Sequence, residues 1–151
     1  MSYASRNVYI DNEIMNASSE RLVQVLYGLA IQSIAAAKKC VHAKDIPGRV
    51  QHINKAFAVL VELISGLDFE AGGEIATNYA GIYDYCQRRL IEANTKQSEA
   101  ILTEVQSLLE DLNEAWQVVV KTVGAERTAR LSSTDLLPSE EALAGNLNCL
   151  G

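Results

Sequence analysis

The sequence predicts an all-α protein that folds as an antiparallel up-down four-helix bundle. Apolar residues recur at alternating steps of four and three, which is the spacing of a helical core stripe. The only prolines, Pro47 and Pro138, leave the long interval between them free for helices. Short breaks separate the periodic stretches, and short connections imply antiparallel neighbours. We therefore expect a bundle over residues 18–124, an N-terminal arm at 1–17 with a possible short helix, and a flexible tail at 125–151.

The first two helices have clear starting signals. Ser18 is a suitable N-cap, and Glu20 in the first turn favours the helix dipole, so the first helix should run to about Lys44. Asp45 and Pro47 should begin the second helix, because proline is tolerated in a first turn. The predicted core stripe of this helix consists of Ile46, Val50, Ile53, Phe57, Leu60, Ile64 and Leu67.

Glycines mark the next break in the chain. Gly66 and the Gly72-Gly73 pair predict a corner between the second and third helices. The third helix should carry Ile75, Tyr79, Ile82, Cys86, Leu90 and Ala93 on its core face and stop near Asn94. The fourth should carry Ile101, Val105, Leu108, Leu112, Ala115 and Val119, and end near Gly124.

Composition and charge exclude several classes of partner. The chain is 48% hydrophobic and 21% charged, which is typical of a globular domain. Its net charge is −6 and its basic residues form only short pairs, so we expect no nucleic-acid partner. No apolar run approaches the roughly 18 residues of a membrane span, and the N-terminus lacks a signal pattern. These features predict a cytoplasmic protein with no membrane insertion.

The sequence offers no recognisable catalytic, metal or cofactor site. The cysteines are odd in number and form no CxxC pair, which indicates neither a disulfide framework nor a zinc site. A di-iron bundle needs Glu-x-x-His pairs, and neither His42 nor His52 has a glutamate three residues earlier. No nucleotide-binding motif or acid–base pair is present. We expect no enzyme activity, no cofactor and no metal.

One alternative from another functional class rests on His52. Histidine phosphotransfer domains are also four-helix bundles, with a lysine three residues after the histidine and a glycine four residues after it. Here Lys55 matches the lysine, but Ala56 replaces the glycine. His52 also falls between apolar positions of the helix, which favours a packed structural histidine.

The first helix has more apolar surface than an ordinary bundle helix needs. At about 100° per residue, Leu26, Ala30 and Ala37 form the middle of its apolar arc. Val25 and Leu29 widen the arc on one shoulder, and Tyr27 and Ile31 widen it on the other. Neighbouring helices and the N-terminal arm could cover this surface, or it could form a groove for an apolar partner segment.

Three stretches of the chain resemble one protein family. Residues 67–94 read "LDFEAGGEIATNYAGIYDYCQRRLIEAN", residues 17–31 read "ASSERLVQVLYGLAI", and residues 9–14 read "YIDNEI". Together they resemble FliS, the flagellar export chaperone family, from about Tyr9 to Val120. Ser19 stands where the family usually has proline, Gly28-Leu29 replaces its Asp-Gly, and the tail after residue 124 is longer than usual.

The resemblance implies a cytoplasmic chaperone without enzyme activity. Such a protein binds the disordered C-terminal segment of flagellin, prevents early polymerisation, and delivers flagellin to the export gate. Combined with the wide apolar arc, it predicts client contacts at Tyr9, Val25, Tyr27, Leu29 and Ile31. The Gly28-Leu29 difference leaves open a chaperone of the same fold with another client.

Overall fold

A computed structural model describes residues 19–136, which form four helices joined by short connections, with no strand among them. The helices are α1 (Ser19–Ala43), α2 (Ile46–Ser65), α3 (Phe69–Lys96) and α4 (Glu99–Leu136). The prediction of an all-α four-helix bundle is confirmed. The N-terminal arm with its possible short helix, the Ser18 cap and residues 137–151 lie outside the described residues. The chain divides into one compact unit up to Ala115 and a second from Trp116 onward.

All four helices contribute to the core of the first unit. Several positions are alanines, which let neighbouring helices approach closely. Larger apolar side chains fill the remaining space, and each contributes roughly 1.5–3 kcal/mol when fully buried. The buried residues of the core include Tyr27, Ala30, Ile34 and Ala37 of α1; Ile53, Ala56, Leu60 and Leu63 of α2; Ala76, Tyr83, Cys86, Leu90 and Ala93 of α3; and Ile101, Leu102, Val105 and Leu109 of α4.

The buried face of α2 is rotated away from the predicted stripe. Only Ile53 and Leu60 of that stripe are buried, whereas Ile46 is exposed and Phe57 lies at the edge of the core. The small residue Ala56 faces the interior instead. A helix buries the side that its neighbours cover, which need not be the side with the largest apolar residues.

Aspartates begin the second and third helices. Asp45 caps α2 by accepting a hydrogen bond from the Gly48 amide at 3.0 Å, with Pro47 in the first turn, so the predicted start is confirmed. Asp68 caps α3 by accepting hydrogen bonds from the amides of Glu70 and Ala71 at 3.1 and 3.0 Å. Each cap satisfies amides that have no partner within the helix.

The predicted corner is confirmed at Gly66, which caps the end of α2, but the Gly72-Gly73 pair lies beyond the corner. The connection between α2 and α3 lies at residues 66–68, and both glycines fall inside α3. Gly73 has φ 50° and ψ −123°, which produces a kink within the helix. Only glycine adopts this conformation without strain, because it lacks a Cβ atom.

Two predicted helix ends are also wrong. The third helix passes Asn94 and ends at Lys96, with Gln97 in the left-handed conformation. The fourth passes Gly124 and continues to Leu136, so residues 125–136 of the predicted tail are helical. Ala125, Glu126 and Arg127, all good helix formers, follow Gly124, and one glycine costs only about 1 kcal/mol in a helix interior. The division of the chain at residues 17 and 124 stays a prediction.

The kink predicts opposite effects for two glycine substitutions in α3. Gly73→Ala should lower the free energy of unfolding by about 1–2 kcal/mol, because alanine is strained at this φ and ψ. Gly81→Ala should raise it by roughly 0.5–1 kcal/mol, since Gly81 is helical and an added Cβ would meet no atom within 4 Å. Urea denaturation of both variants tests this pair. An unchanged or increased stability of Gly73→Ala would show that the kink is not required.

Candidate functional site

The structure separates the residues that the sequence predicts as client contacts. Tyr27 is buried, with 1% of its surface exposed. Val25, Leu29 and Ile31 are half-buried on α1, and Tyr9 lies outside the described residues. On a helical wheel, Val25 and Leu29 lie on one side of the buried stripe and Ile31 on the other. A client in a single groove therefore would not contact both sides at once.

Tyr27 links α1 to α3 inside the bundle through a hydrogen bond with a second tyrosine. Its hydroxyl oxygen lies 2.5 Å from that of Tyr83 on α3, and the two ring centroids are 6.3 Å apart. Burial, followed by this hydrogen bond, raises the pKa of the Tyr27 phenol well above its usual range. Burial also raises the pKa of Tyr83. Both hydroxyls stay neutral at physiological pH, and Tyr27 acts as a core residue rather than a surface contact.

The core leaves a row of apolar side chains on α2 partly exposed. We call it the α2 strip, and it consists of Ile46, Val50, Phe57, Val61 and Ile64. Val61 is 42% exposed, Ile46 is also exposed, and the others are half-buried. Their spacing of four, seven, four and three residues places them along one side of the helix. The strip follows the predicted core stripe, which the core covers only in part.

An exposed isoleucine lies near the end of α3 that meets the start of α2. The Arg49 Nε atom donates a hydrogen bond to the Asn94 side-chain oxygen at 3.0 Å, which sets the start of α2 beside the end of α3. Ile91, one turn before Asn94, is 57% exposed and lies level with the first residues of the α2 strip. The contact between Arg49 and Asn94 is not predicted by the sequence. A buried arginine has no signal in hydrophobic periodicity.

The opposite side of α3 is polar and faces α4. Arg89 donates to Glu92 at 2.5 Å and to Glu104 at 2.6 Å, and the Tyr85 hydroxyl donates to Glu104. Lys96 pairs with Glu92 at 2.7 Å. The Lys96 and Arg89 bonds lower the pKa of Glu92, and the Arg89 and Tyr85 bonds lower the pKa of Glu104. This network links α3 to α4 through charged and polar side chains.

A polar groove of about 500 Å³ lies between α1 and α4. Its lining includes Lys38, Lys39 and His42 of α1, and Glu99 and Gln106 of α4. The Lys38 ammonium donates to the Gln106 side-chain oxygen at 3.3 Å across the groove. These residues carry charges of both signs and would not hold an apolar segment.

The phosphotransfer alternative gains nothing from the geometry. His52 is half-buried, and Ala56, at the position where the pattern needs glycine, is buried. Among residues 19–136, no group of three His, Cys, Asp or Glu side chains could hold a metal ion. Across the same residues, every helix is too short or too polar to cross a membrane.

Comparisons with known proteins agree with the resemblance seen in the motifs. A family model described as "Flagellar protein FliS" matches residues 1–123. The flagellar secretion chaperone FliS of Salmonella typhimurium is 33% identical over 117 residues, which cover 77% of this chain and 87% of the relative. FliSB of Pseudomonas aeruginosa is 33% identical over 74% of this chain and 88% of its own length. FliS of Campylobacter jejuni is 34% identical over 75% and 88%.

The helical fold and these relatives define the class of protein as a chaperone that acts in flagellar protein export. Within that class, the chain belongs to the FliS family. The family match ends at residue 123, within α4, so the last part of this helix lies beyond it.

Proposed function

We propose that this protein binds the disordered C-terminal segment of flagellin in the cytoplasm. Binding keeps the segment from polymerising early, and the complex is then delivered to the flagellar export gate. The observation that carries the proposal is the α2 strip, a row of apolar side chains that the core leaves partly exposed.

The geometry of the α2 strip suits an amphipathic segment. A helix laid along a groove presents apolar residues at steps of three and four, which match the spacing of Ile46, Val50, Phe57, Val61 and Ile64. Soluble proteins seldom leave such a row exposed unless a partner covers it. A flagellin end that is disordered when free loses conformational entropy on binding, which lowers its affinity and helps later release.

The α1 residues form a second part of the proposal. Val25 and Leu29 are half-buried on one shoulder of α1 and Ile31 on the other, so each has surface that a client could cover. Tyr27 would act indirectly, by fixing the position of α1 through Tyr83. The contribution of Tyr9 stays a prediction from the resemblance alone.

Titration calorimetry with a synthetic peptide of the cognate flagellin C-terminal segment tests the proposal. We expect binding at one peptide per chain and a rise in melting temperature with peptide concentration. A peptide of the same composition in scrambled order serves as the control. No binding heat and no change in melting temperature would refute flagellin as the client.

The same titration addresses the alternative of another client. Gly28 is half-buried on α1, and an added Cβ there would meet no atom within 4 Å. An aspartate at position 28 would therefore fit on α1 without a clash at its Cβ atom. If flagellin fails to bind the chain but binds Gly28→Asp, the family surface has been adapted to a different client.

His52 is predicted to carry no phosphate. The buried methyl group of Ala56 lies one turn from His52, where phosphotransfer domains keep an open glycine. Incubation with phosphorylated receiver domains should leave the protein unlabelled. Acid-labile label that His52→Gln removes would contradict this prediction.

A further inference from the structure

The N-terminal end of α3 exposes two large apolar side chains that the proposed client surface does not use. Phe69 is 51% exposed and Ile75 is 67% exposed. We call residues 68–75 the α3 corner. Most of the other large apolar residues of α3 are buried or half-buried, and Tyr85 and Ile91 are the exceptions.

The backbone conformation of the α3 corner is set by its own cap and kink rather than by contacts with the core. Asp68 caps its first turn, and the kink at Gly73 separates that turn from the remainder of α3. An added Cβ at Gly73 would meet no atom within 4 Å, so packing does not require this glycine. The backbone conformation at the kink requires glycine. The kink separates the turn that carries Phe69 from the turn that carries Ile75.

The stretch of sequence that contains the α3 corner carries charge of one sign. Between residues 56 and 87 the chain has five carboxylates, Glu62, Asp68, Glu70, Glu74 and Asp84, and no lysine, arginine or histidine. The structure gives Glu62, Glu70 and Glu74 no ion pair within residues 19–136. Apolar side chains bordered by unpaired carboxylates complement a segment with apolar side chains bordered by lysine or arginine.

We propose that the α3 corner is a second docking surface, which binds a basic amphipathic segment of a partner protein. Phe69 and Ile75 supply the apolar contact, and Glu70 and Glu74 select the positive flank. This surface is independent of the α2 strip, so the protein could hold this partner and its export client at the same time.

A synthetic peptide of leucine and lysine at helical spacing, roughly five turns long, serves as the probe. We expect it to bind the full chain, and we expect a peptide of leucine and glutamate not to bind. Phe69→Ser with Ile75→Ser should weaken binding of the leucine–lysine peptide at least about tenfold. Glu70→Gln with Glu74→Gln should weaken it about fivefold at low salt, and high salt should remove that difference.

Matched variants separate this docking from general attraction to an acidic protein. Ile91→Ser removes a second exposed isoleucine of α3, and Asp111→Asn with Glu114→Gln removes two exposed carboxylates of α4. Both controls should leave the affinity for the leucine–lysine peptide within about twofold of the parent. Equal losses in corner and control variants would overturn the proposal, as would failure of the parent chain to bind the peptide.

Two further measurements define what the α3 corner binds. The corner variants should keep the affinity for the flagellin peptide, and a joint loss would assign the corner to the flagellin surface instead. Sedimentation should find the parent chain and the corner variants in the same oligomeric state. Self-association that Phe69→Ser with Ile75→Ser abolishes would make a second copy the occupant and overturn the proposal of a basic partner.

Discussion

Replacing Val61 with aspartate is expected to weaken flagellin binding at least about tenfold. Burying a valine contributes roughly 1.5 kcal/mol or more, and a carboxylate in the same place must lose water without gaining a partner. The bundle itself should tolerate the change, because Val61 is 42% exposed in the free protein. Calorimetric titration with the flagellin peptide measures the affinity, and thermal unfolding confirms the fold.

Val118→Asp provides a matched control for Val61→Asp. Val118 is also a helical valine, 62% exposed, and lies in the second unit of the chain, outside the α2 strip. Its substitution should leave flagellin affinity unchanged. Equal losses in the two variants would remove the α2 strip as the client surface.

Leu29→Asp tests the other part of the proposed surface, the shoulder of α1 that the sequence predicts. Leu29 is half-buried, and we again expect at least about a tenfold loss if the client covers it. If Val61→Asp weakens binding and Leu29→Asp does not, the client lies along α2 alone. The reverse result would restrict it to α1.

Removing the hydroxyl of Tyr27 is expected to destabilise the bundle by about 1–3 kcal/mol, because the Tyr83 hydroxyl then remains buried without its partner. The double variant Tyr27→Phe with Tyr83→Phe should recover most of that loss, since both polar groups are then absent. Urea denaturation of the parent, both single variants and the double variant measures the coupling. Additive losses would show that the two hydroxyls act independently.

The same tyrosine pair predicts a loss of stability at alkaline pH. The folded-state pKa of Tyr27 and of Tyr83 is raised, mainly by burial, so the folded chain keeps protons that the unfolded chain loses. The contribution is complete below the ordinary tyrosine pKa of about 10 and decreases as the pH rises above it. The double phenylalanine variant should therefore lose less stability between neutral and alkaline pH than the parent.

Local patterns in the sequence were sufficient to predict the helices and the protein family. The periodicity of apolar residues and the Asp45-Pro47 start predicted the bundle, because caps and helix periods depend on neighbours along the chain. Residues 67–94 carried the family resemblance as a continuous stretch. The ends of α3 and α4 were less predictable, because asparagine and glycine permit a helix to stop without requiring it.

Tertiary structure alone decided which side of each helix is buried. Val61 and Ile46 belong to a row of apolar residues on α2, and periodicity predicts part of that row to lie in the core. Both residues are exposed, because the neighbouring helices do not fully cover that side of α2. Tyr27, predicted as a client contact, is buried in the core, where its hydroxyl meets that of Tyr83, a residue distant in sequence. Sequence thus determined the helices and the protein family. The packing of those helices determined the surface left for a client, because burial depends on contacts between residues far apart in the chain.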